Sequence, residues 1–304
     1  MLIIAESGAE FLNSIRLRAY AKINWSLFVT GKRQDGYHTL DTLFQSVSLY
    51  DGIEITRTPS GLELEQRGGF TGKKESNLCW RAAQAFYEAA GLEAGCIIKL
   101  NKYIPVGAGM GGGSADAAAV LVGLDMLYRT GLSKTRMEQI ALKLGADVPF
   151  MLRGGLARAR GIGEELEYMP SQAKLYLAAV MPGRGTSTAE IFSRLDSSTL
   201  PSPGDNAQLA DCIMRGDTAG AAQIIRNDLQ PITAGCNGQV AAALEELRTL
   251  GAEASFMTGS GSACCGLFPS FAQAKRACAQ LEKCGRAFVL STKSRSLEVI
   301  SVRI

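Results

Sequence analysis

Residues 107–113 hold five glycines, and the run GAGMGGGS (107–114) leads directly into a stretch rich in alanine and leucine. Glycine lets the backbone turn tightly and approach a ligand, and the free N–H groups at a helix start attract phosphate. Ordering so many glycines costs backbone entropy, which favours a ligand over a plain turn as their purpose. Gly107, Gly109 and Gly112 also satisfy GxGxxG. A dinucleotide fold is nevertheless disfavoured, because the motif follows a mixed β region and no strand ending in an acid stands about 20 residues later. GKK at 72–74 lacks the spacing and the final Ser or Thr of a Walker A loop. Ser114 is expected either to cap the following helix or to present a hydroxyl toward phosphate or magnesium. Asp116, in the first turn, suits the helix dipole and is also within reach of a metal.

Outside the loop, three side chains bear on chemistry. Lys22 interrupts a strand-like run, so it faces either solvent or a cleft. Asp147 follows a helix end and precedes Pro149, where a carboxylate commonly serves the turn itself. His38 is the only histidine of the chain, and with eight cysteines but no CxxC pair a mixed Cys/His zinc site is not expected. The cysteines read as reduced, mostly buried thiols.

These residues must be held by a sizeable scaffold. At 304 residues, with 46% hydrophobic and 20% charged, the chain has enough for two compact units. The net charge of +3 and the lack of a basic block with interleaved aromatics argue against nucleic-acid binding. The opening MLIIAESGAEFLNSIRLRAYAK has no basic n-region and too short an apolar run for a signal peptide. No stretch of about 20 apolar residues is available to cross a membrane. A cytoplasmic protein is the expectation.

Alternation predicts a strand over 17–30, a polar turn over 31–38, and one or two strands over 39–58, with Asp51-Gly52 as a hairpin turn. Residues 60–76 read as a polar, glycine-rich connection. A helix is expected over 77–90, stopped by Gly91, then a strand at 96–100, the glycine loop, and a helix over 114–128. Ser133 is placed to cap a helix over 134–144, stopped by Gly145, and 146–167 reads as strand and turn. Composition shifts near 165–175. Strands at 175–180 and 254–258, helical pieces around 188–195, 207–214, 221–227, 238–251 and 272–285, and a strand-like end complete an α+β chain. The two expected lobes are 1–168 and 169–304.

PVGAGMGGGSADAAA at 105–119 resembles the phosphate-binding motif of the GHMP kinases, named for galactokinase, homoserine kinase, mevalonate kinase and phosphomevalonate kinase. AKINWSLFVTGKRQDGYHTLDTLFQSVSLYD at 21–51, LGADVPFMLRGGLARARGIGE at 144–164, PGRGTSTAEIF at 182–192, RNDLQPI at 226–232 and MTGSGSACCGLF at 257–268 resemble blocks of one branch of that family. The resemblance implies a two-lobed GHMP kinase fold with the active site in the cleft between the lobes. It implies phosphorylation, by ATP with Mg²⁺, of the 2-hydroxyl of 4-diphosphocytidyl-2-C-methyl-D-erythritol, in the non-mevalonate route to isoprenoid precursors. Carried over by residue, Lys22 and Asp147 become catalytic. Pro105, Gly107, Gly109, Gly111, Gly112, Gly113 and Ser114 bind phosphate; Asn24, Tyr37 and His38 bind substrate; and Gly259, Ser260 and Gly261 form a closing motif from the second lobe. No metal ligand is assigned. Met110 and Ala115 stand where this branch often has Leu and Ser.

On this reading Asp147 activates the acceptor hydroxyl, Lys22 keeps it ionised and stabilises transferred charge, and His38 and Tyr37 read cytosine without proton transfer. Asn24 either orients Lys22 or a substrate hydroxyl, or is an outward polar residue; Asp35 fits turn chemistry. Thr186, Asn227 and Asp228 either support the site or cap helices. The expected partner is a small molecule carrying a cytidine diphosphate group, with no nucleic acid or membrane, and the protein a monomer or weak homodimer. A mevalonate or homoserine kinase would keep the loop but has no need of DGYH, and a non-catalytic nucleotide binder would not need Lys22 and Asp147.

Overall fold

The computed structural model describes residues 12–69, 72–183, 185, 187–195 and 203–304. Its frame is an antiparallel pair of long strands, β1 (Ser14–Lys32) and β2 (His38–Arg57), joined by a short turn. In that turn the Asp35 carboxylate accepts the Tyr37 N–H at 3.3 Å and pairs with Arg33 at 2.7 Å, so Asp35 does turn chemistry. β2 has two successive neighbours. Its first half pairs with β5 (Leu156–Gly161), and its second half with β4 (Gly95–Asn101). β3 (Gly61–Arg67) runs parallel to β4, β6 (Glu165–Met169) pairs with β5, and β11 (Leu297–Arg303) pairs with β1.

The helices α1 (Leu78–Ala90), α2 (Gly112–Tyr128), α3 (Lys134–Leu144) and α4 (Val148–Arg153) pack with this sheet into one core. Asn77 caps α1 by accepting the Cys79 N–H at 2.8 Å, Gly91 ends it in the left-handed region, and Ser133 caps α3. In α2, Gly123 lets the helix approach the sheet: a Cβ there would lie 2.7 Å from Ile55 and 3.1 Å from Leu17.

A second antiparallel sheet has the order β10 (Arg286–Ser291), β7 (Tyr176–Met181), β9 (Cys264–Phe268), β8 (Ala254–Met257). With it pack α5 (Thr188–Ser193), α6 (Asn206–Arg215), α7 (Thr218–Ala222), α8 (Gln230–Cys236), α9 (Gly238–Thr249) and α10 (Phe271–Leu281). The expected cut at 168/169 falls at the end of β6, and we propose it as the lobe division. β11, however, returns to the first sheet, so the chain crosses between the sheets at 170–175 and again at 292–296. Among the described residues no helix is long and apolar enough to cross a membrane.

A bulge in the pairing of β1 with β2 positions the site. Ile15, Leu17 and Ala19 pack into the first core, whereas Ala21, Ile23 and Trp25 pack into the core shared with the second sheet. The register slips between Tyr20 and Lys22. There Ala21 alone stands opposite residues 47–49 of β2, and beyond this bulge Lys22 and Asn24 lie on the side of the glycine loop.

Four expectations are corrected here. Asp51-Gly52 is not a hairpin turn but lies within continuous β2, because Asp51 is buried and bonded to other segments. Residues 61–67 are a strand, since GLELEQR alternates beside β4. Residues 148–153 are helix rather than strand, started by Pro149. α7 is shorter than the expected 221–227 piece and lies earlier.

Candidate active site

Lys22 is 4% exposed, and its ammonium is fixed by its surroundings. Nζ donates to Asn24 Oδ1 at 2.8 Å, lies 3.4 Å from Asp147 Oδ2, and sits 4.7 Å from the centre of the Phe44 ring. Asn24 is held in turn. Its Nδ2 donates to Thr42 Oγ1 at 2.8 Å, and its backbone N–H donates to Thr258 Oγ1 at 2.9 Å, from the second lobe. Asn24 therefore orients Lys22.

Asp147 is set by its flanks. Gly145 ends α3 and Pro149 begins α4, leaving Asp147 at the N-cap position with its side chain making no capping hydrogen bond. A carboxylate there would ordinarily serve the helix. This one faces Lys22 and a cavity of about 330 Å³ instead. Lys22, Asn24, Ser114, Asp147, Gly259 and Ser260 all border that cavity.

The glycine loop closes another wall. Gly107, Gly109 and Gly111 have φ of 71°, 74° and 68°, in the left-handed region. Space as well as conformation excludes side chains: a Cβ on Gly109 would stand 2.3 Å from the Thr258 carbonyl oxygen, and one on Gly111 2.5 Å from Met151 Cε and 3.0 Å from Lys22 Cγ. The loop is tied to both lobes, since Lys22 N–H donates to Met110 O at 3.0 Å and Ala263 N–H to Ala108 O at 3.2 Å. Pro105, Gly107, Gly109, Gly111, Gly112, Gly113 and Ser114 all border an adjoining cavity of about 250 Å³. The helix starts earlier than the sequence suggests: Gly111 is the N-cap and Ser114 lies inside the first turn, so Ser114 is not the cap and its alternative role, a hydroxyl toward the cavity, remains.

On the second lobe, Gly259 packs backbone to backbone against Gly109, and Ser260 Oγ lies 2.8 Å from Thr188 Oγ1. Asn227 supports the motif by donating to the carbonyls of Met257 and Gly259 at 2.7 and 2.8 Å. Asp228 instead anchors β1, accepting the Val29 N–H at 2.9 Å. Gly261 turns away, against Met257 and Thr233, and does not line the cavity. Thr186 lies outside the described residues.

The DGYH residues are less completely gathered. The His38 ring stacks on Phe192 at 5.3 Å and 23°, and Phe192 lines the cavity with Leu40 and Ile162. Partial burial and the nearby Lys32 hold His38 below its ordinary pKa, so the ring is neutral at pH 7. Tyr37 is 63% exposed and does not line the cavity. Asp116 is corrected as well: it does not face the cavity as a metal ligand but is 2% exposed and paired with Lys102, which also binds Asp51. No motif singles out Lys102 or Phe192, and Asp51 is singled out only as a turn residue, although a lysine three residues before Pro105 was an available signal.

Comparison with known proteins identifies the family. Residues 77–155 match the GHMP kinases N terminal domain and residues 209–287 the GHMP kinases C terminal domain. The chain is 40% identical to a 4-diphosphocytidyl-2-C-methyl-D-erythritol kinase of Pelotomaculum thermopropionicum over 266 residues, covering 87% of this chain and 93% of the relative. It is 39% identical to the Moorella thermoacetica enzyme of the same name over 276 residues, covering 90% and 96%. It belongs to the 4-diphosphocytidyl-2-C-methyl-D-erythritol kinase family, within the GHMP kinases. A crystal structure of a 4-(cytidine 5'-diphospho)-2C-methyl-D-erythritol kinase superposes with a TM-score of 0.80 at 33% identity, covering 91% of this chain and 99% of that one. A homoserine kinase from Cytophaga hutchinsonii, at 18% identity and TM-score 0.73, shares the fold. The two-lobed α/β architecture of this kinase family is thus the architecture of the chain.

Proposed function

We infer that this protein is an ATP-dependent kinase that phosphorylates the 2-hydroxyl of 4-diphosphocytidyl-2-C-methyl-D-erythritol, in the non-mevalonate route to isoprenoid precursors. The observation that carries the reading is the single cavity bordered by Lys22, Asn24, Asp147, the glycine loop and Gly259-Ser260. We propose that Asp147 accepts the acceptor hydroxyl proton as the O–Pγ bond forms and the bond between Pγ and the β-phosphate oxygen breaks, releasing ADP. Lys22 holds the Asp147 carboxylate charged and offsets the negative charge that builds on the transferred group.

The loop glycines and the start of α2 receive the phosphates through backbone N–H groups. The nucleoside has room next to them, in a cavity of about 460 Å³ bordered by Lys102, Pro105, Val106, Met181 and Arg286. GHMP kinases use ATP with Mg²⁺ in general, and the cavity offers such an ion an oxygen donor beside the triphosphate in Ser114, leaving Asp147 to the acceptor hydroxyl. When bound, Mg²⁺ neutralises phosphate charge. His38 and Tyr37 are proposed to bind the cytosine edge and ring, and Phe192 to offer a second apolar face. A cytoplasmic monomer or weak homodimer acting on a soluble substrate is the setting we propose.

The test is a comparison of acceptors with ATP in excess. Turnover of the cytidine-bearing acceptor, with none of mevalonate or homoserine, is expected; turnover of only one of the latter rejects the substrate.

A further inference from the structure

A buried charge cluster lies directly behind the phosphate loop. Lys102 Nζ donates to Asp116 Oδ2 at 2.8 Å and to Asp51 Oδ2, and the three side chains are 2%, 3% and 0% exposed. The other oxygen of Asp51 accepts the N–H groups of Tyr103 at 2.5 Å and Ile104 at 2.9 Å, the residues that lead into Pro105 and the loop. A Cβ on Gly112 would stand 3.0 Å from Lys102 Nζ, so the ammonium is seated against the first residue of α2. One cation thus joins β2, the exit of β4 and the helix that receives phosphate.

The charge count identifies which group faces the ligand. Asp51 collects an ammonium and two backbone donors. Asp116 shares that ammonium, its Oδ1 has no hydrogen-bond partner, and burial with Asp51 beside it pushes its pKa well above the ordinary carboxyl range. Cys79 of α1 is the remaining titratable neighbour, and its buried thiol is pushed up as well and stays neutral. Burial thus weakens the negative charge that Asp116 sets against Lys102, whose ammonium lies next to Gly112. If stability were the only demand, apolar residues of similar volume would serve as well as a buried ion pair. A desolvated cation acts on a nearby phosphate with little screening.

We propose that Lys102 is a positioning residue for the nucleotide triphosphate: held by Asp51 and Asp116 against Gly112, it fixes the entry to the loop and sets a buried positive charge behind the phosphates without touching them. The proposal rests on the kinase reading above.

Lys102→Met alone leaves two carboxylates without their cation and risks unfolding. The test therefore uses Lys102→Met with Asp116→Asn, which leaves Asp51 its two backbone donors. After a thermal melt establishes folding, ATP and adenosine affinities are measured by calorimetry and the acceptor KM by turnover. ATP affinity is expected to fall about tenfold or more, well beyond any loss of adenosine affinity, with the acceptor KM within twofold of wild type. ATP affinity within twofold overturns the proposal, and so do equal losses for ATP and adenosine, which mean a collapsed loop. If the pair does not fold, Asp51→Asn with Lys102→Met and Asp116→Asn removes every charge of the cluster and carries the same expectations. Wild-type protein that binds ATP no more tightly than adenosine would instead count against the kinase reading itself.

Discussion

Asp147 occupies the N-cap position of α4 yet gives that helix no hydrogen bond, and its carboxylate lies 3.4 Å from Nζ of Lys22. The side chain is thus released from local structure and committed to the cleft. Asp147→Asn keeps shape and loses charge and basicity, so the fold and both ligand affinities should persist while kcat falls by roughly 10²–10⁴. Steady-state rates at saturating ATP and acceptor check this, and a variant within twofold of wild type would remove Asp147 as the base.

Lys22→Met should cost kcat comparably, because the ammonium acts most where negative charge develops. The losses should not add: a double variant little worse than the poorer single one marks a working pair. Lys22→Arg keeps charge, but a planar fork does not fit among Asn24, Phe44 and Gly111. Fully additive losses, measured by the same kinetics, would separate the roles.

His38 and Phe192 form a stacked pair at the edge of the cavity. Phe192→Ala should raise the acceptor KM by about tenfold, in keeping with base–aromatic stacking of about 1–3 kcal/mol, and leave the KM for ATP nearly unchanged. His38→Ala should lose several-fold in the same parameter. Equal effects on both substrates would mean that the pair only supports the fold.

Gly109→Ala brings a methyl group to 2.3 Å from a backbone carbonyl of the second lobe, at a φ of 74°. Neither strand of that contact is a flexible side chain. The substitution should therefore cost about 2 kcal/mol or more of stability and weaken ATP binding as well, read by urea unfolding and nucleotide titration. An unchanged unfolding midpoint would show that the loop relaxes freely.

Asp116 has a folded-state pKa raised well above that of an unfolded aspartate. Between the two values the unfolded chain has released its proton and the folded protein retains it. Stability must therefore fall as pH rises through that window, by up to about 1.4 kcal/mol per pH unit. Asp116→Asn removes this dependence. Melting wild type and variant side by side from pH 5 to 8 should show the wild type losing ground; parallel curves would place the titration elsewhere.

What the sequence displays follows the range of the interactions involved. Asn77, Gly91 and Ser133 act on their own helices, so α1 and α3 were legible, and the glycine loop announces itself by composition. Asp51-Gly52 carries the local signal of a turn, yet long-range bonds to Lys102, Tyr103 and Ile104 hold it inside a strand. The bulge after Tyr20, which aims Lys22 and Asn24 at the cleft, depends on pairing with β2 and has no local signature. Lys22 and Asp147 were read through a family likeness, since each alone also fits an ordinary structural place. Asp116 was visible as a charged residue, but its place in the cluster depends on Lys102, 14 residues away, which in turn meets Asp51, 51 residues from it.

β11, the last strand among the described residues, is the partner of the first half of β1. During synthesis β1 thus emerges well before the partner of that edge, which lies 280 residues further on at the pair Arg18–Glu298. Domains generally fold as units from the N-terminus, and an uncovered strand edge invites association with other chains. Here the first sheet cannot be completed before the second lobe has been made. A chain cut short before Leu297 would lack this closing strand, so partially translated protein is expected to depend on chaperones and to be cleared rather than to persist as a free first lobe.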